Sequence, residues 1–199
     1  MDDELVKHHL HDRLRGERAS MLWKLDGLSD YDVRRPLTTT GTSLLGLVKH
    51  LSVSEGLYFG DVFGRPFPER PRHWWDDETG LLPSMWAAAD ESRAEIVDHY
   101  RRAGERSDAT IAALDLDAPG SVPWWPSPDV TLFNILVHVL AETSRHAGHA
   151  DILREQLDGA VGTSADDTAL QRFDAAFWAD HRAEIEHAAE GADPRQAST

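Results

Sequence analysis

One stretch of this chain holds residue types that can do chemistry at a spacing that brings them together: His138-Val139-Leu140-Ala141-Glu142-Thr143-Ser144-Arg145-His146-Ala147-Gly148-His149. At about 100° per helical residue, with Glu142 as zero, His138 falls near −40°, His149 near −20° and His146 near +40°. Ile135 and Leu153 share that sector, both near +20°. A carboxylate and imidazoles on an apolar stripe are costly to bury unless something compensates them. A metal ion is the simplest compensation, because Glu142 and His146 at i, i+4 point to one place and leave room for a third ligand from a facing helix. His50 is a candidate for that ligand, since it lies next to Leu51 and three residues from Leu47 at the edge of another apolar stripe. Three protein ligands leave positions open for water or substrate, the arrangement of a reactive site. The bland alternative also stands: Glu-x-x-x-His occurs on many helices as an exposed pair worth about 0.2–0.5 kcal/mol. His138 and His149 read as second-shell or core histidines, and His73 as a group that could line the site. His8, His9 and His11 read as solvated. His99, His181 and His187 carry no metal reading.

These residues need a helical frame, and the sequence supplies one. Apolar periodicity predicts a first helix over Leu5 to Asp26, a second from Ser43 to about Phe63, a third starting at an N-cap on Ser84 and reaching about Leu114, and a fourth over Val130 to Leu157 capped by Asp129. Asp158-Gly159 reads as the stop of the fourth helix. A fifth helix is expected behind Ser164 and Asp167, with Leu170, Phe173, Phe177 and Ile185 on its apolar side. Gly104 is a candidate kink in the third helix. No alternating strand is evident, so the fold class is all-α: one helical bundle domain over 1–192, followed by a disordered tail at 193–199. Two connections, Gly64 to Leu82 and Ala118 to Asp129, run to roughly 19 and 12 residues, long for a bundle. They carry Trp74, Trp75, Trp124 and Trp125, four of the seven Trp residues, and aromatic loops of this kind can wall an apolar substrate.

Composition narrows the chemistry. The 199 residues include 20 Lys plus Arg against 35 Asp plus Glu, a formal charge of −15, which argues against nucleic acid and anionic membrane surfaces as partners. With no cysteine there is no disulfide, no thiolate zinc site and no thiol nucleophile, so any sulfur chemistry must use a sulfur brought from outside. The acidic start, Met1-Asp2-Asp3-Glu4, does not resemble an export signal, and no uncharged stretch approaches the roughly 20 residues of a membrane span. A cytoplasmic location is expected.

Two segments carry a family resemblance: Gly41-Thr42-Ser43-Leu44-Leu45-Gly46-Leu47-Val48-Lys49-His50-Leu51 followed by Glu55, and Glu142-Thr143-Ser144-Arg145-His146-Ala147-Gly148-His149-Ala150-Asp151-Ile152-Leu153-Arg154-Glu155. Through them the chain resembles the DinB-like metal-binding four-helix bundle superfamily, in the small-protein branch related to mycothiol S-transferases and mycothiol-dependent isomerases. The resemblance implies an up-down-down-up bundle, with Gly64 to Leu82 as the crossover and one additional C-terminal helix. It also implies His50, Glu142 and His146 as ligands of a divalent metal, zinc or nickel first, and mycothiol as a cosubstrate. The chain lacks the further C-terminal domain of the isomerases, which favours a transferase that activates a low-molecular-weight thiol for attack on a small electrophile. In that reading Arg145 or Arg154 meets a carboxylate on thiol or substrate, and no residue is singled out as catalytic. A non-catalytic metal-binding helical protein, acting as a stress or interaction module, and a metal-dependent hydrolase stay open as alternatives. A homodimer is expected.

Overall fold

The computed structural model describes residues 2–68, 71–75, 78–167, 169–170 and 172–192. The expected tail at 193–199 lies outside them. The chain divides into two compact units, Met1–Ser164 and Ala165–Thr199.

The first unit is built on four long helices: α1 (Asp3–Trp23), α3 (Leu44–Glu55), α4 (Arg93–Ala113) and α5 (Leu132–Asp158), with a short α2 at Asp30–Arg34. Each long helix starts on a side chain that accepts an otherwise orphaned backbone N–H: Asp2, Ser43, Ser92 and Thr131. The N-terminal half of α1 shares an apolar cluster with the start of α5 through Leu14, Leu132, Ile135 and Leu136. The C-terminal end of α1 meets the C-terminal end of α5, where Arg154 donates to the carbonyls of Trp23 and Lys24, so these two helices are parallel. Arg93 at the start of α4 donates to the carbonyls of Leu25 and Leu28 just beyond α1, so α4 runs the other way. The start of α3 packs into the cluster that holds Met21, Leu25 and Leu153, which makes it antiparallel to α1 as well. The result is the up-down-down-up bundle.

Several boundaries differ from the sequence reading. The third long helix begins at Arg93, not after Ser84. Ser92 with Glu95 three residues on is its cap, and Leu82–Met85 is only a 3₁₀ turn. Gly104 sits within an unbroken α4. The second helix does reach Phe63, but as three consecutive geometries: α to Glu55, a π-helical turn over Gly56–Gly60, then a 3₁₀ turn over Asp61–Phe63. The connection before α5 contains a small antiparallel hairpin, β1 (Pro119–Ser121) and β2 (Asp129–Thr131), pairing Pro119 with Thr131. Strands of three residues are too short to show alternation in the sequence. Asp129 is therefore in a strand, and the cap of α5 is Thr131 in a reciprocal capping box with Asn134. Gly159, at φ 77°, ends α5 as expected.

Between the two apolar clusters of the bundle lies a buried ion network. Arg18 clasps Glu55 with two bonds of 2.6 and 2.8 Å and Asp108 with a third of 2.6 Å, tying α1 to α3 and α4. In the second unit, α6 (Ala175–Gly191) starts on Asp174 rather than on Ser164, and Phe173 stacks on Phe177 while Trp178 meets both rings edge to face.

Candidate metal centre

The capping box starts α5 firmly and the helix runs through Glu142 and His146 without a break, so their i, i+4 spacing becomes a shared face. On α3, every residue from Leu44 to Glu55 is buried, which delivers His50 to the bundle interior at 7% exposure. His146 is buried at 8%, and the Glu142 side chain keeps 23% of its surface. Glu142 Oε1 lies 3.0 Å from His146 Nε2 and 3.4 Å from His50 Nε2. The imidazoles meet edge to face at 5.0 Å between centroids. One donor atom from each of the three residues falls within 4.8 Å of the others.

This spacing suits a first-row divalent ion. Donors bonded at about 2.0–2.2 Å in a tetrahedral arrangement stand roughly 3.4 Å apart, close to the 3.0 and 3.4 Å between Glu142 Oε1 and the two imidazole nitrogens. Both imidazoles present Nε2 to the centre, and each Nδ1 has a partner behind it: Ser84 Oγ at 3.2 Å for His50, and His149 Nδ1 at 3.3 Å for His146. Imidazole ligands in metal sites are habitually oriented in this way through their second nitrogen. The bonds from His146 and then His50 hold the Glu142 carboxyl far below the usual carboxylate range, against the opposing effect of burial. Glu142 is thus ionised and ready to act as a ligand at neutral pH.

The other expected site residues fall in different places. His149 stands directly behind His146. His138 lies one turn before Glu142, and burial pushes its pKa down while the Glu142 charge opposes this. Its ring is enclosed by Trp125 at 4.7 Å and by Tyr58 at 4.5 Å between centroids, and Trp124 packs on the far side of Tyr58 with half its surface exposed. Trp74 is buried, its indole N–H donating to Glu91 and its ring facing His99, while Trp75 next to it is exposed. His73 Nε2 lies 3.3 Å from the same Glu91 oxygen, Oε1. Arg145 is exposed. Arg154 is not available to a substrate: its guanidinium is buried and spent on Asp158 and the two carbonyls that end α1. His11 is half-buried against Asp108 instead of solvated.

Two residues near the centre went unassigned in the sequence. Ser84 was readable only as a helix cap, because nothing in the chain marks a serine 34 residues away as a partner of His50. Tyr58 read as one more apolar position of the second helix. The π-helical turn that carries it, a geometry frequent at functional sites, has no sequence signature.

Fold and site together define a helical bundle with a two-histidine, one-carboxylate cluster able to hold a metal ion, as in DinB-like proteins. The chain belongs to the mycothiol-S-transferase family, whose model matches residues 9–159 and so spans both cluster-bearing helices. No curated protein matches it. No helix among the described residues is long and apolar enough to cross a membrane.

Proposed function

We propose that this protein is a divalent-metal-dependent S-transferase that joins a low-molecular-weight thiol of the mycothiol type to a small electrophile. The observation that carries the reading is the convergence of His50, Glu142 and His146 on one point in a chain with no cysteine. Bound there, the ion would lower the pKa of a coordinated thiol so that sulfur reacts as thiolate near pH 7.

The chain's own residues would do the rest. His50 and His146 offer neutral nitrogen donors and Glu142 an anionic oxygen, a mixed set that accepts zinc or nickel. The partial exposure of Glu142 leaves one side of the cluster open to solvent. Tyr58, Trp125 and Trp124 form an aromatic wall beside His138, about 6 Å along α5 from Glu142, fit to hold an apolar electrophile. Arg145, exposed one turn before His149, is placed to meet a carboxylate on the thiol or the electrophile. In the transfer the thiol proton is lost to solvent, sulfur bonds to the electrophilic carbon, and the leaving group departs with its electron pair.

Cobalt-substituted protein tests this directly. Addition of mycothiol should produce a sulfur-to-metal charge-transfer band, absent in His146→Ala, and turnover of an electrophile such as a chloronitrobenzene should appear under the same conditions. Bacillithiol and glutathione serve as comparison thiols. Hydrolysis of an activated ester without thiol, with no band from any of the three, would replace the transferase by a hydrolase. A four-coordinate, inert metal would replace both by a metal-stabilised structural protein.

A further inference from the structure

We propose that Tyr58 selects and activates the electrophile: its hydroxyl donates a hydrogen bond to an oxygen conjugated with the carbon under attack. The substrate class is then a flat, neutral arene or enone that carries a nitro or carbonyl group. The inference rests on the transferase reading for its reaction, while the binding site it describes stands on the chain's own rings.

The placement of Tyr58 is built by a change of helical geometry. Tyr58 follows His50 by eight residues, and at about 100° per residue an unbroken α-helix would set it about 80° round from His50. The chain instead passes into the π-helical turn Gly56–Gly60. Its i→i+5 bonding winds fewer degrees per residue and brings Tyr58 back toward the face that carries His50. Within that turn Gly56, Leu57, Phe59 and Gly60 are buried, and Tyr58 alone keeps exposed surface. Its ring meets α5 at His138, one turn before Glu142.

The hairpin delivers the other rings. Gly120 on β1 lies so close to the 3₁₀ turn Asp61–Phe63 that a Cβ would come within 2.8 Å of Val62 and 2.9 Å of Phe63. Lacking one, the hairpin settles on the end of the second helix and lays Trp125 and Trp124 against Tyr58, at 5.9 and 6.2 Å between centroids. Trp124 keeps 53% of its surface, so the wall has an open face for a flat ring. Tyr58 supplies the one hydroxyl among these four rings, and among the described residues nothing bonds it. A phenol O–H is a donor at neutral pH, and this one is left for substrate.

The chemistry explains the use of such a donor. When sulfur bonds to the ring carbon of a chloronitrobenzene, the displaced electron pair moves into the nitro group, whose oxygens hold the negative charge until chloride leaves with the carbon–chlorine pair. Tyr58 donates to those oxygens, in a bond that strengthens as the charge develops. With an enone the same charge forms on the carbonyl oxygen, and solvent supplies the proton that completes the addition. A benzylic halide puts no charge on oxygen and gains nothing from Tyr58.

The test begins with the metal-free full chain and two probes followed by ligand-observed NMR: 1,3-dinitrobenzene, which has the oxygens and no leaving group, and 1,3-dimethylbenzene, which has neither. Tyr58→Phe keeps the ring and should leave the melting temperature unchanged, because the lost hydroxyl bonds no described residue. It should weaken dinitrobenzene binding about 3–10-fold and leave dimethylbenzene binding unchanged. With zinc and mycothiol present, the variant should lower kcat/KM for chlorodinitrobenzene by about 10-fold or more and leave benzyl chloride unaffected. Equal losses on both members of either pair would show a packing role and overturn the proposal, as would unchanged binding and turnover of the nitro compounds. No turnover by the wild type with any of the three thiols, while the difference in dinitrobenzene binding persists, would overturn the transferase reading alone.

Discussion

Replacing His146 with Ala should act twice, once on the metal-free protein and once on its response to metal, and the two effects can be sized separately. In the metal-free chain the substitution removes the 3.0 Å bond to Glu142. A hydrogen bond to a charged group is worth roughly 1.5–3 kcal/mol; with nearly a quarter of Glu142 exposed, solvent screening reduces the loss to about 1–2 kcal/mol. At about 2–4 °C per kcal/mol for a chain of this size, the melting temperature should fall by about 2–8 °C. On the proposed reading zinc would bind only where α3 and α5 are assembled and would stabilise the folded state by mass action, by about 4 kcal/mol at a thousandfold excess over Kd. That corresponds to an upshift of about 8–16 °C in the wild type. With two of three ligands left, the upshift in His146→Ala should vanish at the same zinc concentration. Differential scanning fluorimetry with and without zinc, alongside metal analysis of protein prepared without chelator, measures both quantities. Retention of the full upshift and of stoichiometric metal in His146→Ala would refute the assignment of the cluster. His187→Ala, on the exposed α6, serves as the control and should leave both unchanged.

Other outcomes follow from the same geometry. Burial acts to raise the Asp108 carboxyl, but the bonds from His11, Arg18 and Arg15 outweigh it and hold its pKa below the ordinary value. The stability this contributes is present in full above about pH 4 and is lost as pH falls through the folded pKa, so Asp108→Asn should flatten the acid limb of a pH-resolved denaturation series. Glu55→Ala removes the two-pronged partner of buried Arg18 while Asp108 remains, and should cost about 3 kcal/mol in chemical denaturation. Gly46→Ala forces the crossover off α3 and should cost about 1–3 kcal/mol by the same measure. Trp125→Ala should raise KM for an aromatic electrophile several-fold and leave the affinity for zinc unchanged, read by steady-state kinetics and metal titration.

Much of this molecule was legible in the sequence because helical geometry is local. The i, i+4 spacing of Glu142 and His146, the apolar sector they share with Ile135 and Leu153, and the Gly159 stop all follow from 3.6 residues per turn and from the left-handed conformation that glycine adopts more readily than other residues. His50 was a candidate because it sits at the edge of a stripe, yet the distance that makes it a partner of Glu142 arises only when α3 and α5 lie side by side across 92 residues of chain. The start of α4 was misplaced because Ser84 and Ser92 are both plausible caps. Ser92-Arg93-Ala94-Glu95 carries the box spacing, whereas Ser84 is drawn out of helical service by Leu81 and His50. Trp74 and Arg154, each plausible at a substrate's edge in one dimension, are consumed by Glu91 and by the last carbonyls of α1 in three. Periodicity records which residues share a face, and in this chain that was enough to name a helical bundle and the polar face that Glu142 and His146 share on it. Which faces meet, and which buried polar group satisfies which, depends on contacts between residues far apart in sequence, and so Ser84 and Tyr58 became visible only in the folded protein.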